Sequence, residues 1–179
     1  MPLEYVPKNA CSEDIEKIRF TYEDSFPPEE RPPFDILIHI EKSTFYGVYD
    51  EGEYVGFYNL VEHEDLVYLF FLAMTPASRN KGYGTEVLSM LKKRYGGKRL
   101  FLCAEEIGEQ YEDNAMRMRR QGFYQRNGFK TDGTLIIEFE VAYNIFTYQS
   151  HVTKEDYRNL MIGLYGQEVF DSYYSKHLR

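Results

Sequence analysis

A short stretch between residues 75 and 85 carries residue types that bind anions through the backbone. Two cations, Arg79 and Lys81, precede Gly82 and Gly84. A buried strand is predicted before the stretch and a helix after it, so the glycines lie at the first turn of the helix, where unpaired N–H groups concentrate positive charge. Without a Cβ, a glycine lets an anion approach them. The stretch predicts a phosphate or pyrophosphate cradle, although an ordinary turn with incidental charge also fits.

Two common phosphate-binding motifs do not fit this stretch. A Walker loop ends in Gly-Lys followed by Ser or Thr, and that ending is missing here. The dinucleotide fingerprint needs a third glycine, and Val87 occupies its position. The anion is therefore not expected to bind in either of these ways.

The sequence resembles a known family at two separated motifs. Arg-x-x-Gly-x-Gly after an apolar strand, here Arg79 to Gly84, is similar to the acyl-CoA loop of the GNAT superfamily of N-acetyltransferases. The residues from Leu72 to Met74 resemble the family's Ala-Val step, and the segment from Phe123 to Phe129 resembles its Phe-Tyr-x-x-x-Gly-Phe helix end. The motifs occur in the family's order, whereas the tail beyond Gln149 has no counterpart.

The resemblance implies that acetyl-coenzyme A binds here as the co-substrate, without a metal. In the family, backbone N–H groups of this region bond the pantetheine arm and the thioester oxygen, which assigns the Met74 N–H to the oxyanion. The implied cofactor contacts are Leu72, Ala73, Met74, Arg79, Asn80, Lys81, Gly82, Tyr83, Gly84 and Thr85.

Acetyl transfer to an amine also needs a proton donor and a proton acceptor. An alkylamine has a pKa of about 10.4 and a thiol one of about 8.5. The resemblance implies Tyr124 as the acid beside the sulfur, although a tyrosine that only packs the helix on the sheet fits the same position. Several relatives carry a base on the strand before the loop, but this chain has Tyr68 and Phe70 there.

Four glutamates remain as candidates for the base or for acceptor binding. Glu105 and Glu106 end the fifth predicted strand and are candidate catalytic residues. Glu29 and Glu30 lie in a proline-rich loop, where family members often bind substrate. Deprotonation by water stays open, as does a solvated role for each glutamate. These carboxylates favour a cationic acceptor, because a negative cleft concentrates cations.

Three arginines, Arg117, Arg119 and Arg120, cluster on the fourth predicted helix. They form either a solvated helix face or a group that contacts a coenzyme A phosphate or Glu109 and Glu112. Both interpretations stay open.

Composition narrows the class of protein. A chain of 179 residues fits one domain, and its net charge of −8 disfavours nucleic acid and anionic membranes as partners. Two cysteines, Cys11 and Cys103, are too few for a disulfide scaffold and predict a reduced, cytoplasmic protein, with Cys103 buried in a strand. No secretory leader, membrane span or metal-ligand spacing is recognised.

Hydrophobic periodicity predicts an α/β fold with a C-terminal helical extension. The resemblance implies that its core is a GNAT-like mixed central sheet of six to seven strands flanked by helices. Residues 1–149 are predicted as the acetyltransferase domain and residues 150–179 as the extension packed on it. Predicted strands cover 3–6, 44–49, 54–61, 66–75, 99–104 and 135–146, the last as one or two strands whose odd-numbered residues share a face. Predicted helices cover 12–23, 34–41, 83–95, 111–125 and the tail from 151.

The function predicted from these features is transfer of an acetyl group from acetyl-CoA to a primary amine by direct attack. Two alternatives are an acyl-CoA-binding module without turnover and a protein that binds a partner through its aromatic tail, residues 165–174. The acceptor is unidentified, and a homodimer stays open.

Overall fold

The computed structural model describes residues 3–7 and 12–173 and contains a seven-stranded sheet in the order β1-β2-β3-β4-β5-β7-β6. The strands are β1 (Glu4–Pro7), β2 (Ser43–Asp50), β3 (Glu53–His63), β4 (Leu66–Met74), β5 (Arg99–Glu105), β6 (Leu135–Glu138) and β7 (Val141–Thr147). The helices are α1 (Ser12–Ser25), α2 (Phe34–Leu37), α3 (Tyr83–Arg94), α4 (Asn114–Arg126), α5 (Lys154–Tyr165) and α6 (Gln167–Tyr173), with short 3-10 turns at Pro28–Glu30 and Pro76–Ser78. This confirms the predicted mixed α/β fold and its C-terminal helices. Cys11 and residues 174–179, which include His177, lie outside the described residues.

The sheet is antiparallel except at its centre, where β4 and β5 run parallel. Helix α3 makes the crossover between them. Their pairing covers only Leu66–Leu69 with Arg99–Leu102. Beyond these residues the last part of β4 and the last part of β5 no longer bond to each other. The centre of the sheet is therefore open at the carboxyl ends of these two strands.

Helices cover both faces of the sheet. Helix α3 buries Val87, Leu88 and Leu91 on one face, where α4 also packs. On the other face, α1 and α2 share a cluster with Phe45, Phe57 and other phenylalanines, and α5 and α6 pack over the β4–β7 half. Burial of these apolar surfaces is the main stabilising term of the fold. None of the helices in the described part of the chain is long and apolar enough to cross a membrane.

Helix α5 is tied to the sheet by polar contacts at its first turn. Thr153 and Asp156 form a capping box. Arg99, the first residue of β5, donates to Asp156 at 2.8 Å and to both carboxylate oxygens of Asp65 at 2.7 and 3.0 Å. One guanidinium thus joins the β3–β4 turn, β5 and α5.

Two predicted element boundaries need correction. Helix α4 starts at Asn114 rather than at residue 111, because the Asn114 side chain accepts the Gly108 N–H at 2.9 Å and holds the preceding segment in turns. Helix α2 ends at Leu37, after barely one turn, rather than at residue 41.

The segment 135–146 is two strands, and its predicted single-faced alternation is wrong. Phe139 and Glu140 have φ values of 49° and 67° and form the tight turn between β6 and β7. Ile136 and Glu138 are the buried residues of β6. The even-numbered residues therefore face inward on this strand.

Candidate active site

The open ends of β4 and β5 form a cleft of about 900 Å³. One side of it, the glycine-loop side, comprises Leu72, Ala73, Met74, Ser78, Arg79, Asn80, Gly82, Tyr83, Gly84, Thr85, Arg119, Phe123 and Arg126. The other lining residues except Tyr124, here called the carboxylate side, are Asp24, Ser25, Phe26, Glu30, Tyr68, Leu69, Phe70, Phe71, Cys103, Glu105, Met116, Arg120, Glu138 and Tyr143. Tyr124 on α4 lies between the two sides. The cleft therefore combines the glycine loop, with its backbone N–H groups, and a set of acidic and aromatic side chains.

The start of α3 has the conformation expected for an anion cradle. Gly82 is the N-cap residue with φ 89°, and a Cβ at this position would meet nothing within 4 Å. The backbone angle and the free space at Gly82 both suit a glycine that leaves the helix N–H groups accessible. Gly84 serves another purpose, because a Cβ there would lie 3.0 Å from the Phe123 ring. It lets α3 approach α4 closely.

The cleft brings together most of the predicted cofactor contacts. Nine of the ten line the glycine-loop side, and Lys81, which is exposed, does not. The Tyr83 hydroxyl donates to Asp50 at 2.7 Å, which fixes the helix start to the end of β2. Asn127 caps the end of α4 and reaches Thr85 at 3.5 Å. The two sequence motifs therefore meet in space.

The strand register gives the direction of the Met74 N–H. In an antiparallel pair, the N–H groups of successive residues point alternately toward and away from the neighbouring strand. Thr75 N–H bonds to the Val55 carbonyl at 2.9 Å, and Met74 lies opposite Gly56. The Met74 N–H therefore points away from β3, toward the opening where β5 has separated. Leu72, two residues earlier, has the same orientation.

Tyr124 lies in the cleft with its ring held by aromatic neighbours. The ring centroids of Phe123, Phe146 and Phe129 are 5.3, 6.4 and 6.5 Å away. Burial raises the pKa of Tyr124 to about 12, whereas the charge of Arg120, one turn earlier on α4, acts to lower it. The phenol is therefore protonated at neutral pH and can donate a proton.

Glu105 is buried, with 7% of its surface exposed, and forms an ion pair with Arg120. Its backbone carbonyl accepts a hydrogen bond from the Gln121 amide at 2.8 Å, and the same amide contacts Asn144 at 3.2 Å. These bonds hold α4 against the end of β5. Charge-assisted pairs of this kind fix side-chain geometry where solvent is partly excluded.

The four predicted glutamates separate into two groups. Glu105 and Glu30 line the carboxylate side, whereas Glu106 and Glu29 lie outside the cleft lining. Glu106 accepts the Tyr111 hydroxyl at 2.8 Å, and Glu29 is exposed. Burial raises the pKa of Glu30, and the charge of nearby Glu105 adds to this rise against the opposing arginines of α4. The proline-rich loop and the end of β5 therefore contribute one carboxylate each.

The arginines of α4 have different surroundings. Arg117 is buried, bonds to Asp113 at 2.7 Å and lies 3.9 Å over the Tyr111 ring. Arg119 lines the glycine-loop side, and Arg120 bonds to a carboxylate of the other side. The predicted partners, Glu109 and Glu112, are wrong: the ion pairs form with Asp113 and Glu105.

Most residues of the carboxylate side were not predicted as site residues, and Glu138, Tyr143 and Cys103 are the polar ones on the strands β5 to β7. Glu138, with 5% of its surface exposed, and Tyr143 come from β6 and β7. Cys103 is half-buried on the cleft wall rather than enclosed in the core as predicted, and burial raises the pKa of its thiol. The one sequence signal for Glu138 is a carboxylate inside an apolar run between Ile137 and Phe139.

The described residues show no group of three or more His, Cys, Asp or Glu side chains that could hold a metal ion.

Comparisons with known proteins agree on the fold. A GNAT-family protein from Bacteroides thetaiotaomicron has a TM-score of 0.75 and 22% identity over 92% of this chain and 99% of its own. The dodecameric spermidine N-acetyltransferase from Vibrio cholerae has a TM-score of 0.60 and 15% identity over 87% and 96%. An aminoglycoside 6'-N-acetyltransferase complexed with coenzyme A has a TM-score of 0.58 and 14% identity over 82% and 96%.

A search of curated protein sequences found no match. The sequence model of the acetyltransferase (GNAT) family, in contrast, matches residues 13–129. That match spans well over half of the chain and includes both cleft motifs, from the strand before the glycine loop to Phe129. The chain therefore belongs to the GNAT family of acetyltransferases.

Proposed function

We propose that this protein transfers an acetyl group from acetyl-CoA to a primary amine of a cationic acceptor. The observation that supports this most directly is the convergence of the Met74 N–H and the Tyr124 side chain on one opening between β4 and β5. Acyl transfer needs an oxyanion donor and a proton donor on the same reacting group. The cleft supplies both.

The glycine-loop side suits the diphosphate and pantetheine parts of coenzyme A. The first turn of α3 offers N–H groups beside the open space at Gly82, and Arg79, Arg119 and Arg126 add positive charge along the same wall. The Leu72 N–H, which has the same orientation as the Met74 N–H, offers a hydrogen bond to the amide-containing arm and leaves the Met74 N–H for the acetyl group. Acetyl-CoA would supply the activated acetyl group as a thioester.

The Met74 N–H stabilises the transition state by donating to the carbonyl oxygen of the acetyl group as it gains negative charge. A backbone donor fixed in a sheet needs no reorganisation during the reaction. Loss of one such donor costs about 10²–10³ in rate in other enzymes.

The proton acceptor is Glu30 or Glu105, with water as the remaining alternative. The Glu105 carboxylate is already engaged in an ion pair with Arg120. The raised pKa of Glu30 makes that carboxylate a better proton acceptor. We therefore favour Glu30 on the proline-rich loop for deprotonation of the acceptor ammonium.

Tyr124 donates the proton that the departing sulfur takes. In the balanced step the amine nitrogen bonds to the acetyl carbon, the carbon–sulfur bond breaks, and the phenolic proton passes to sulfur. The phenolate is then reprotonated by the proton that the acetylated nitrogen loses as it becomes a neutral amide, and the protonated base returns its proton to solvent. The Tyr124 pKa of about 12 ensures that the phenolic proton is present before each turnover.

The acceptor is proposed to be cationic because the carboxylates that line the cleft all lie outside its glycine-loop side. Two relatives with this fold are acetyltransferases of spermidine and of aminoglycosides, which are polycationic amines. The aromatic rings on the carboxylate side would add cation–π contacts of about 0.5–2 kcal/mol.

A second candidate function is acyl-CoA binding without turnover. Tyr68 and Phe70 occupy the strand position where relatives often carry a base, and both pack among aromatic rings. A protein of this kind would bind acetyl-CoA through the same glycine-loop side but would not release its thiol.

A thiol-release assay with acetyl-CoA and a panel of amines tests the proposal. Amine-dependent release, with a higher kcat/KM for cationic than for anionic or neutral acceptors, is expected. Binding of acetyl-CoA without release for any amine would instead support the second candidate.

A further inference from the structure

Tyr143 presents a hydroxyl to the cleft that no described residue binds. Of the four tyrosines that line the cleft, two use their hydroxyls within the protein. The Tyr83 hydroxyl donates to Asp50 at 2.7 Å. The Tyr68 hydroxyl bonds to the thiol of Cys103. The Tyr143 hydroxyl, in contrast, forms no hydrogen bond in the described part of the chain and is not enclosed, so it is available to a molecule bound in the cleft.

Strand pairing fixes the position of Tyr143. Strand β7 lies between β5 and β6, and Tyr143 is opposite Glu105 on one side and Ile136 on the other. Residues that lie directly opposite each other in an antiparallel pair have their side chains on the same face of the sheet. The pairing of β5 with β4 ends at Leu102, so Glu105 borders the opening between the two strands. The Tyr143 side chain therefore lies beside Glu105 at the edge of the proposed reaction centre.

The charges of three carboxylates reach the Tyr143 phenol. Burial is the main cause of its raised pKa, and the charges of Glu138, Glu105 and Glu30 add to the rise. The phenol is therefore protonated at neutral pH, when it can donate one hydrogen bond and accept others. Negative charge on several sides favours a hydroxyl proton directed at a carboxylate, which leaves the lone pairs of the phenolic oxygen for an N–H donor.

We infer that Tyr143 binds the amino group that is to be acetylated, with its phenolic oxygen accepting one N–H hydrogen of that group. This inference rests on the proposed function and names a residue that positions the nucleophile. A primary ammonium group has three N–H hydrogens and loses one of them to the base before it attacks. The hydrogen bond to Tyr143 can therefore persist from the bound amine to the transition state. Because it stabilises both states alike, its loss should weaken amine binding without slowing the chemical step.

The test removes the hydroxyl and keeps the ring, in the variant Tyr143→Phe. The thiol-release assay gives kcat, the amine KM and the acetyl-CoA KM, with putrescine and with the panel amine of highest kcat/KM. Tyr148→Phe is the matched control, because Tyr148 lies just beyond the opposite end of β7 and its ring packs 5.8 Å from that of Phe129, outside the cleft lining. Circular dichroism establishes that both variants are folded. Tyr143→Leu, which also lacks the hydroxyl, serves as a second variant.

We expect Tyr143→Phe and Tyr143→Leu to raise the amine KM by about tenfold to a hundredfold, as for a lost hydrogen bond to a charged group. In Tyr143→Phe, kcat and the acetyl-CoA KM should stay within about twofold of the wild-type values. Tyr148→Phe should leave all three values unchanged. An unchanged amine KM in Tyr143→Phe, or a loss confined to kcat, would overturn the inference and leave the proposed function intact. Absence of thiol release with every amine in the wild-type protein would instead overturn the proposed function.

Discussion

Replacement of Tyr124 by Phe tests the proposed role of the Tyr124 hydroxyl as the general acid. The Tyr124 ring contacts Phe123, Phe129 and Phe146, and phenylalanine preserves those contacts. The variant should therefore fold normally and bind acetyl-CoA with nearly unchanged affinity. The only group removed is the hydroxyl that protonates sulfur.

The size of the effect follows from the leaving group. Loss of a general acid typically costs about 10²–10⁴ in rate. A thiolate with an intrinsic pKa of about 8.5 leaves fairly well without a proton, which places this case at or below the lower end of that range. We expect kcat to fall by about tenfold to a hundredfold.

Tyr111→Phe is the matched control, because that hydroxyl bonds to Glu106 outside the cleft lining. The kcat of all three proteins is measured with saturating acetyl-CoA, and a pre-steady-state measurement establishes that chemistry limits the rate. Equal kcat for Tyr124→Phe and wild-type protein under this condition would refute the acid role. A comparable loss in Tyr111→Phe would show that the effect is not specific to the cleft.

Three further changes test other parts of the account. Gly82→Asp adds a side chain and a negative charge at the start of α3, so calorimetry should show acetyl-CoA affinity at least tenfold lower, which is about 1.4 kcal/mol. Gly133→Asp is the control, because Gly133 is another exposed glycine of positive φ, and it should leave the affinity unchanged. Glu30→Gln should lower kcat/KM by about a hundredfold. In the wild-type protein, kcat/KM should fall as the pH drops through the raised pKa of Glu30, and the variant should lack that decline. Arg99→Ala removes the hydrogen bonds that are the main cause of the lowered pKa of Asp65 and that add to the lowering of the Asp156 pKa by the Thr153 N–H. A carboxylate whose pKa is lowered in the folded state stabilises the fold at pH values above its unfolded pKa of about 3.9, and this stabilisation is lost as the pH falls through the lowered pKa. Calorimetry should therefore show a lower Tm for Arg99→Ala near neutral pH and a gap from wild type that closes as the pH falls below that unfolded value. Arg158→Ala, at an exposed ion pair, should show no such gap.

Local features of the chain were predictable from the sequence. The glycine loop can be recognised from consecutive residues, since an apolar strand, two cations and two glycines lie within one short segment. The capping box of α5 is equally local, with Thr153 and Asp156 three positions apart. Periodicity alone was enough to place the main strands and helices.

Features that depend on tertiary pairing could not be predicted in this way. The Glu105–Arg120 pair joins a strand end to a helix, and many cations on α4 could have been the partner. The direction of the Met74 N–H follows from its register against β3 and from the loss of pairing with β5. Neither the ion pair nor the direction of this N–H group follows from the residue types alone.

The inward position of Glu138 was missed for a related reason. Turns with positive φ at two successive residues usually contain Asn or Gly. Phe139 and Glu140 make this turn without either residue, so the sequence between β6 and β7 resembles an uninterrupted strand. A continuous alternation then puts Glu138 on the wrong face.

The central claim is tested most directly by incubating the protein with acetyl-CoA and putrescine and quantifying both products by mass spectrometry. The account predicts free coenzyme A and N-acetylated putrescine in equal amounts, over many turnovers and only when protein and amine are both present. Acetyl-CoA that stays intact with bound protein, or thiol release without an acetylated amine, would contradict it.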